Sequence, residues 1–327
     1  MISRVAGCCF WMHRYVERAE NLCRLLKVNR SFLLDVPEGV ADRWFPLIIV
    51  SGEQERFAEL HPPPAGDDGE IVEAYLTWEE RSPVSVITSM RWARENARTT
   101  REVISLEMWE TLNDLWVDLS RGKARRRYDT DRDTFYKRLR DGCDLFLGLS
   151  EQTLLDEEPL DFMRLGMWLE RASQTARMLD VKHHTLGPSR ADRESPVELA
   201  QWSALLYSCS ASEAYYKRVP SKPDGRSIAA FLLQDPALPR SVLGCLLRAR
   251  ATLERIRTEG RPELGDEPAA LLDGLIDRLR TRDIDTIFGQ SIHDELTNAI
   301  DTTAAICASI DRAYFDPGDQ SALLAAS

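Results

Sequence analysis

From Arg4 to Leu34 apolar side chains recur every three to four positions, the spacing that gathers them on one face of an α-helix. Neither glycine nor proline interrupts the chain between Gly7 and Pro37, so the pattern predicts a long first helix. Trp44 to Leu60 carries a compact apolar run and ends at His61-Pro62-Pro63-Pro64, where consecutive prolines forbid continuation. A surface loop of Pro, Gly and Asp follows to about Glu70. Two helices are expected between Ile71 and Trp116, the second opening after Ser82-Pro83, and the charged stretch Gly122 to Asp133 reads as a connection. Further helices are expected at Phe135 to Leu149, Leu160 to Lys182, Trp202 to Arg218, Ser227 to Leu233, Ser241 to Arg257, Glu267 to Thr281 and Asp294 to Tyr314. Gly187-Pro188-Ser189 breaks a loop from His184 to Glu194. Short β-branched runs such as Val84 to Ile87 sit inside longer helical patterns, so the fold class is all-α.

The pattern also repeats. FWMHRYVERAENLCRLLKV at 10–28 and MRLGMWLERASQTARMLDV at 163–181 align with Glu17-Arg18-Ala19 on Glu170-Arg171-Ala172, an offset of 153 (170 − 17). Arg24, Leu26 and Val28 recur as Arg177, Leu179 and Val181. A second pair, 75–94 and 231–250, keeps the order at an offset of 156 (241 − 85). Two ordered matches predict a duplicated helical unit, residues about 1–150 and about 155–316 with a flexible tail at 317–327, whose lobes pack about a pseudo-twofold axis.

With 43% hydrophobic and 29% charged residues, the 327-residue chain has the balance of a globular protein with ample core. A net charge of −11 argues against a general nucleic-acid binder, which needs a basic surface. No apolar run approaches the roughly 20 residues that span a bilayer, and no secretory pattern opens the chain, so a cytoplasmic location with no membrane association is expected. Seven cysteines lie without a C-x-x-C pair or His-rich neighbour, and read as reduced packing residues rather than metal ligands. Nothing fixes an oligomeric state.

On a helical wheel Trp11, Tyr15, Leu22, Leu25 and Leu26 share one apolar sector with Arg18 in its middle, while Glu17 falls nearer Arg14, Asn21 and Arg24. The second copy sets Arg171 among Trp168, Met178 and Leu179, with Glu170 toward the edge. Both copies are therefore expected to point an arginine into the core. A guanidinium cannot shed its proton, so it must find a carboxylate or carbonyls there. Two outcomes are open: ion pairs with Glu17 or Glu170 of the other repeat that lock the packing, or a polar cleft where arginine holds a carboxylate or phosphate. His13 is expected on the polar side of the first helix. A second constellation, Arg91, Arg94, Glu95, Asn96, Arg98 and Arg101 with Glu102, Glu107, Trp109 and Asn113, puts four arginines on one helix face, as a binding stripe or as a solvated face laced with glutamate. Phosphate loops, nucleophile elbows and zinc-protease motifs are missing, as is the Glu-x-x-His of a di-iron bundle.

Ser3-Arg4-Val5-Ala6, Trp11-Met12, Arg14-Tyr15, Glu17-Arg18-Ala19-Glu20-Asn21 and Arg24 resemble the N-terminal signature of the Alpha-E family, a bacterial helical family named for its Glu-Arg motif. Arg94-Glu95-Asn96-Ala97-Arg98 with Arg101-Glu102, Ser105, Glu107, Trp109 and Asn113 resembles its second signature, and Trp168-Leu169-Glu170-Arg171-Ala172 its third. Cys8-Cys9-Phe10 and His13 depart from the pattern. The resemblance implies partnership with a circularly permuted ATP-grasp ligase, and with transglutaminase-like protease systems, in ATP-dependent amide-bond formation on peptides or amino acids. ATP would sit on the partner and this chain would need no cofactor. Arg18 and Arg171 would position carboxylates, Glu17 and Glu170 would meet an amine or the arginines, and Arg94, Asn96 and Arg98 would line the rim. The competing readings are a catalytic subunit whose Glu pair assists an amine attacking an acyl phosphate, and a purely structural scaffold.

Overall fold

The computed structural model describes residues 3–35, 44–186, 196–219, 223–259, 262–290 and 292–316. Among these the chain is helical throughout, with no strand. The first half holds α1 (Ser3–Asp35), α2 (Phe45–Ser51), α3 (Gln54–Leu60), α4 (Gly69–Trp78), α5 (Val86–Thr99), α6 (Leu106–Ser120), α7 (Lys123–Thr130) and α8 (Arg132–Thr153). The second holds α9 (Glu158–Leu186), α10 (Pro196–Ser208), α11 (Ser212–Arg218), α12 (Gly225–Gln234), α13 (Val242–Glu259), α14 (Asp266–Thr281), α15 (Ile284–Gln290) and α16 (Ile292–Ile310). No helix among the described residues is long and apolar enough to cross a membrane. All seven cysteines are free, six of them buried and Cys8 half-buried.

Two long helices organise everything else. α1 packs on α9, and around α1 stand α5, α8 and α10, while α13, α16 and α2 stand around α9. One contiguous core runs through both halves. The crossing of α1 and α9 is close because Gly166 has no side chain: a Cβ there would lie 2.2 Å from the Phe10 carbonyl oxygen. Backbone cannot swing aside as a side chain can. Gly166→Ala should therefore push the helices apart and lower stability by about 1–3 kcal/mol, read from a denaturation midpoint, where an uncrowded helical glycine would gain from the same change.

Several boundaries differ from the sequence reading for identifiable reasons. α5 is capped by Ser85, whose Oγ accepts the Thr88 amide at 3.3 Å, rather than opening after Ser82-Pro83; those two residues form the preceding turn. Three helices, not two, occupy the stretch from α4 to α6. The expected connection at Gly122 to Asp133 contains α7, held by Tyr128, which is buried edge-on against Trp78 and Phe135. The single helix expected from Trp202 to Arg218 breaks at Ser210, which adopts a left-handed φ of 48°. α9 runs on through 186; the Gly187-Pro188-Ser189 break and the 317–327 tail lie outside the described residues. α15 was not expected.

Candidate functional site

Where α1 crosses α9, each Glu-Arg motif reaches the other. Glu170 accepts hydrogen bonds from Arg18 Nε at 2.7 Å and Gln174 Nε2 at 3.1 Å on Oε1, and from Arg14 Nε at 2.9 Å and Arg18 Nη2 at 3.0 Å on Oε2. Reciprocally, Glu17 accepts from Arg171 Nε at 2.8 Å and Nη2 at 2.6 Å, and its Oε1 also takes Arg240 Nη1 at 2.8 Å. Asn21 Nδ2 donates to Gln174 Oε1 at 2.9 Å, so the two clusters join through one hydrogen-bonded pair. The partners stand 152, 154 and 153 residues apart.

The expected depths are inverted. The carboxylates are deepest, with Glu17 and Glu170 side chains 0% and 3% exposed, whereas Arg18 and Arg171 are 14% and 11% exposed. The wheel assumed that each helix keeps one wet face, but α1 and α9 are enclosed by neighbours on most sides, so the glutamates have no edge to occupy. The arginine stems instead run out over aromatic rings, Arg18 5.6 Å above Tyr15 and Arg171 5.0 Å above Trp168, and carry their heads toward the margin. His13 is also misplaced by the wheel: it is buried, with Nε2 3.1 Å from Ser150 Oγ and its ring on Phe146.

Burial alone would raise the pKa of both glutamates. Arg18 and Arg14 overcome this at Glu170, and Arg171 and Arg240 at Glu17, holding both well below the usual carboxylate range. Carboxylates so stabilised are poor proton acceptors, and their lone pairs are committed to guanidinium donors. This arrangement disfavours general-base chemistry by the Glu pair.

The two sides of the crossing are finished differently. Beside Glu17, Glu20 pairs with Arg24 and with Arg240 Nη2 at 3.2 Å, and Arg24 also donates to the Ser208 carbonyl at 2.6 Å, at the end of α10, and to Asn21 Oδ1 at 2.7 Å. Beside Glu170 lies a pocket of about 140 Å³. Its polar wall includes Arg14, Arg18, Ser173 and Arg177, and its apolar wall includes Leu22, Leu25, Val50 and Ile300. Three arginines against Glu170 give this lining a net charge of +2 (3 − 1) in a chain of net −11. Arg177 lies against the end of α2, with Nη1 3.1 Å from where a Gly52 Cβ would stand. It forms no hydrogen bond or ion pair among the described residues, and burial pushes its pKa down. Glu170, Asp301 and Asp180 attract it without direct contact, so a half-buried cation that no described residue pairs directly is the distinctive feature of this site.

The second constellation is elsewhere. Arg94 donates to Glu95 at 2.6 Å and to Asn113 at 3.3 Å, Arg98 to Glu95 at 2.8 Å, and Arg91 pairs with Glu80. Arg94 and Arg101 stack over Trp109, Asn96 is half-buried, and Glu107 is exposed. None of Arg94, Glu95, Asn96, Arg98 and Glu107 lines the pocket, so they do not rim the Glu-Arg crossing. Nor do Glu17 and Arg171, which serve the filled side; of the expected residues, Arg18, Asn21 and Glu170 form pocket wall. Sequence reasoning missed Arg240, Gln174 and Ser173 altogether. It noted Arg177 only as the recurrence of Arg24, and that recurrence was the available signal. Among the described residues no group of three or more His, Cys, Asp or Glu is arranged to hold a metal ion.

The chain belongs to the Alpha-E family: the family model, a predicted alpha-helical domain with a conserved ER motif, matches residues 1–315. It is similar to uncharacterized proteins of Mycobacterium bovis and Mycobacterium tuberculosis, 23% identical over 294 residues in each case. A further Mycobacterium tuberculosis protein, also uncharacterized, is 22% identical. These matches cover 85% of this chain but 32% of the relatives, so the chain spans about a third of the length of the curated proteins it matches. No solved structure matches.

Proposed function

We propose that this Alpha-E chain is a ligand-holding helical subunit without ATPase chemistry of its own, which binds an anionic group in the pocket beside Glu170. The observation that carries this reading is Arg177, a half-buried guanidinium facing the pocket with no partner among the described residues. The saturated Glu pair favours holding over catalysis. In the setting that the family resemblance implies, a circularly permuted ATP-grasp ligase activates a carboxylate and this chain presents the peptide or amino acid to be joined. The partner would meet the outward face of α5, where Trp92 is 49% exposed. A duplicated architecture is part of the proposal, supported by the reciprocal Glu17–Arg171 and Glu170–Arg18 pairs and by serine caps at matching positions, Ser85 on α5 and Ser241 before α13.

Calorimetric titration of the wild-type chain with a panel of small carboxylates and with inorganic phosphate tests the pocket. Binding of at least one anion is expected, weakened about tenfold or more in Arg177→Gln. If no anion binds, or if Arg177→Gln binds as well as wild type, the reading fails. The docking claim has its own test: a circularly permuted ATP-grasp ligase from the same cell should be retained by immobilised wild-type chain, and no retention, or retention unaffected by Trp92→Glu, would exclude this face of α5.

A further inference from the structure

The Glu17 side of the crossing indicates what the pocket side does not supply from its own residues. At the offset of the repeat, Arg24 corresponds to Arg177 (177 − 24 = 153) and Glu20 to Ser173 (173 − 20 = 153). On the filled side the Glu20 carboxylate neutralises Arg24, whose guanidinium also reaches the Ser208 carbonyl at the end of α10. On the pocket side Arg177 lies against the end of α2, but the position of Glu20 is held by a serine whose short side chain lines the pocket. Resting on the pocket reading above, we propose that the ligand is an N-acylated amino acid or peptide end with a small aliphatic side chain, whose terminal carboxylate takes the place beside Arg177 that Glu20 occupies beside Arg24.

Three properties of the pocket select that chemistry. Arg14 and Arg18 already share Glu170, so one guanidinium remains, which matches a singly charged, planar carboxylate taken by two parallel N–H donors. A tetrahedral phosphate would present its oxygens to a single uncommitted guanidinium, because the Nε and Nη2 donors of Arg14 and Arg18 are already taken by Glu170. Second, Glu170 has both oxygens engaged and no other carboxylate lines the pocket, so a free ammonium has no counter-charge. An acylated nitrogen carries no charge to satisfy. Third, Leu22, Leu25, Val50 and Ile300 give an apolar wall, and about 140 Å³ suits a side chain of a few carbons, since an apolar cavity of about 150 Å³ accommodates benzene.

The probe is N-acetylvaline, titrated into the full chain by calorimetry beside N-acetylvalinamide, free valine and inorganic phosphate. N-acetylvaline should bind the wild type, with the amide and the zwitterion each weaker by roughly tenfold or more. Ser173→Glu supplies the missing carboxylate from the chain itself. It should abolish N-acetylvaline binding and raise the melting temperature by about 2–4 °C, because Arg177 is already half-buried and only the new carboxylate has to be desolvated to pair with it. Ser173→Gln, similar in bulk but uncharged, should raise no melting temperature. If Ser173→Glu does not fold, as judged by circular dichroism, Arg177→Gln carries the test: unchanged N-acetylvaline binding there overturns the proposal. Binding of phosphate in preference to N-acetylvaline, or N-acetylvaline binding undiminished in a folded Ser173→Glu, would also overturn it while leaving an anion pocket in place. Absence of binding by every probe removes the pocket reading and this inference together.

Discussion

Glu170→Gln should lower the stability of the fold by about 3–5 kcal/mol, the range for removing one member of a buried charge network. The substitution keeps the shape of the side chain and removes the charge that holds both Arg14 and Arg18, neither of which makes a second ion pair among the described residues. Two guanidiniums would be left at 11% and 14% exposure without an anion. Arg18→Met provides the internal comparison. There Glu170 keeps Arg14 as a partner, and the lost head lies near the margin, so the cost should be about 1–2 kcal/mol. The measurement is urea denaturation of the three proteins under identical conditions. Equal losses in the two variants would mean that the carboxylate is not the shared anchor described here.

The second large effect is acid sensitivity above the range in which carboxylates protonate. Burial brings the His13 pKa down to about 3, and Nδ1 has no hydrogen-bond partner among the described residues. An unfolded-chain histidine titrates near 6.5, so between pH 6.5 and about 3 the unfolded state binds more protons than the folded one, and stability rises with pH. The limiting slope is about 1.4 kcal/mol per pH unit. From pH 6.5 to 5 this amounts to about 2 kcal/mol, before carboxylates contribute. Below that, protonation of the unfolded-state glutamates adds to the loss, because Glu17 and Glu170 are held below their ordinary range and stabilise the fold only while ionised. His13→Met should fold, since Ser150 keeps its bond to the Leu147 carbonyl at 2.8 Å, and should flatten the pH 5 to 6.5 segment specifically. An unchanged slope in that variant would show that another group titrates.

The helical skeleton was largely readable from periodicity, because α1, α8, α9, α13, α14 and α16 each run long enough for an apolar pattern to stand out. α7 and α15 were not, being short, and α7 being rich in arginine, with few apolar anchors such as Tyr128. Pairing between the two Glu-Arg motifs was legible from their recurrence at an offset of 153, since each buried arginine needs a carboxylate and the other motif offers one. Which partner lay deeper was not, because a single helix viewed alone gives no sign that a second set of helices will cover its polar edge. The pocket was hidden for a different reason. It is lined by Ser173 and Val84 where the matching segments have Glu20 and Arg240, and a mismatch between matching segments carries meaning only after both are seen beside the same crossing. The stripe on α5 was readable as charge but not in its pairing: Glu80 takes Arg91, Glu95 takes both Arg94 and Arg98, and Arg101 lies over Trp109.

The long-range pairing between α1 and α9 also has a consequence for how the chain is born. At about 5–20 residues per second, the ribosome needs roughly 7–27 s after completing α1 to deliver the segment that carries Glu170 and Arg171. During that interval the flank of α1 destined for α9 has no companion helix. Glu17, Arg18 and Asn21 lie along this flank, so water can solvate it where a purely aliphatic surface would invite association with other nascent chains. The charges that lock the finished crossing thus serve earlier as a solubilising edge on a helix waiting for its mate.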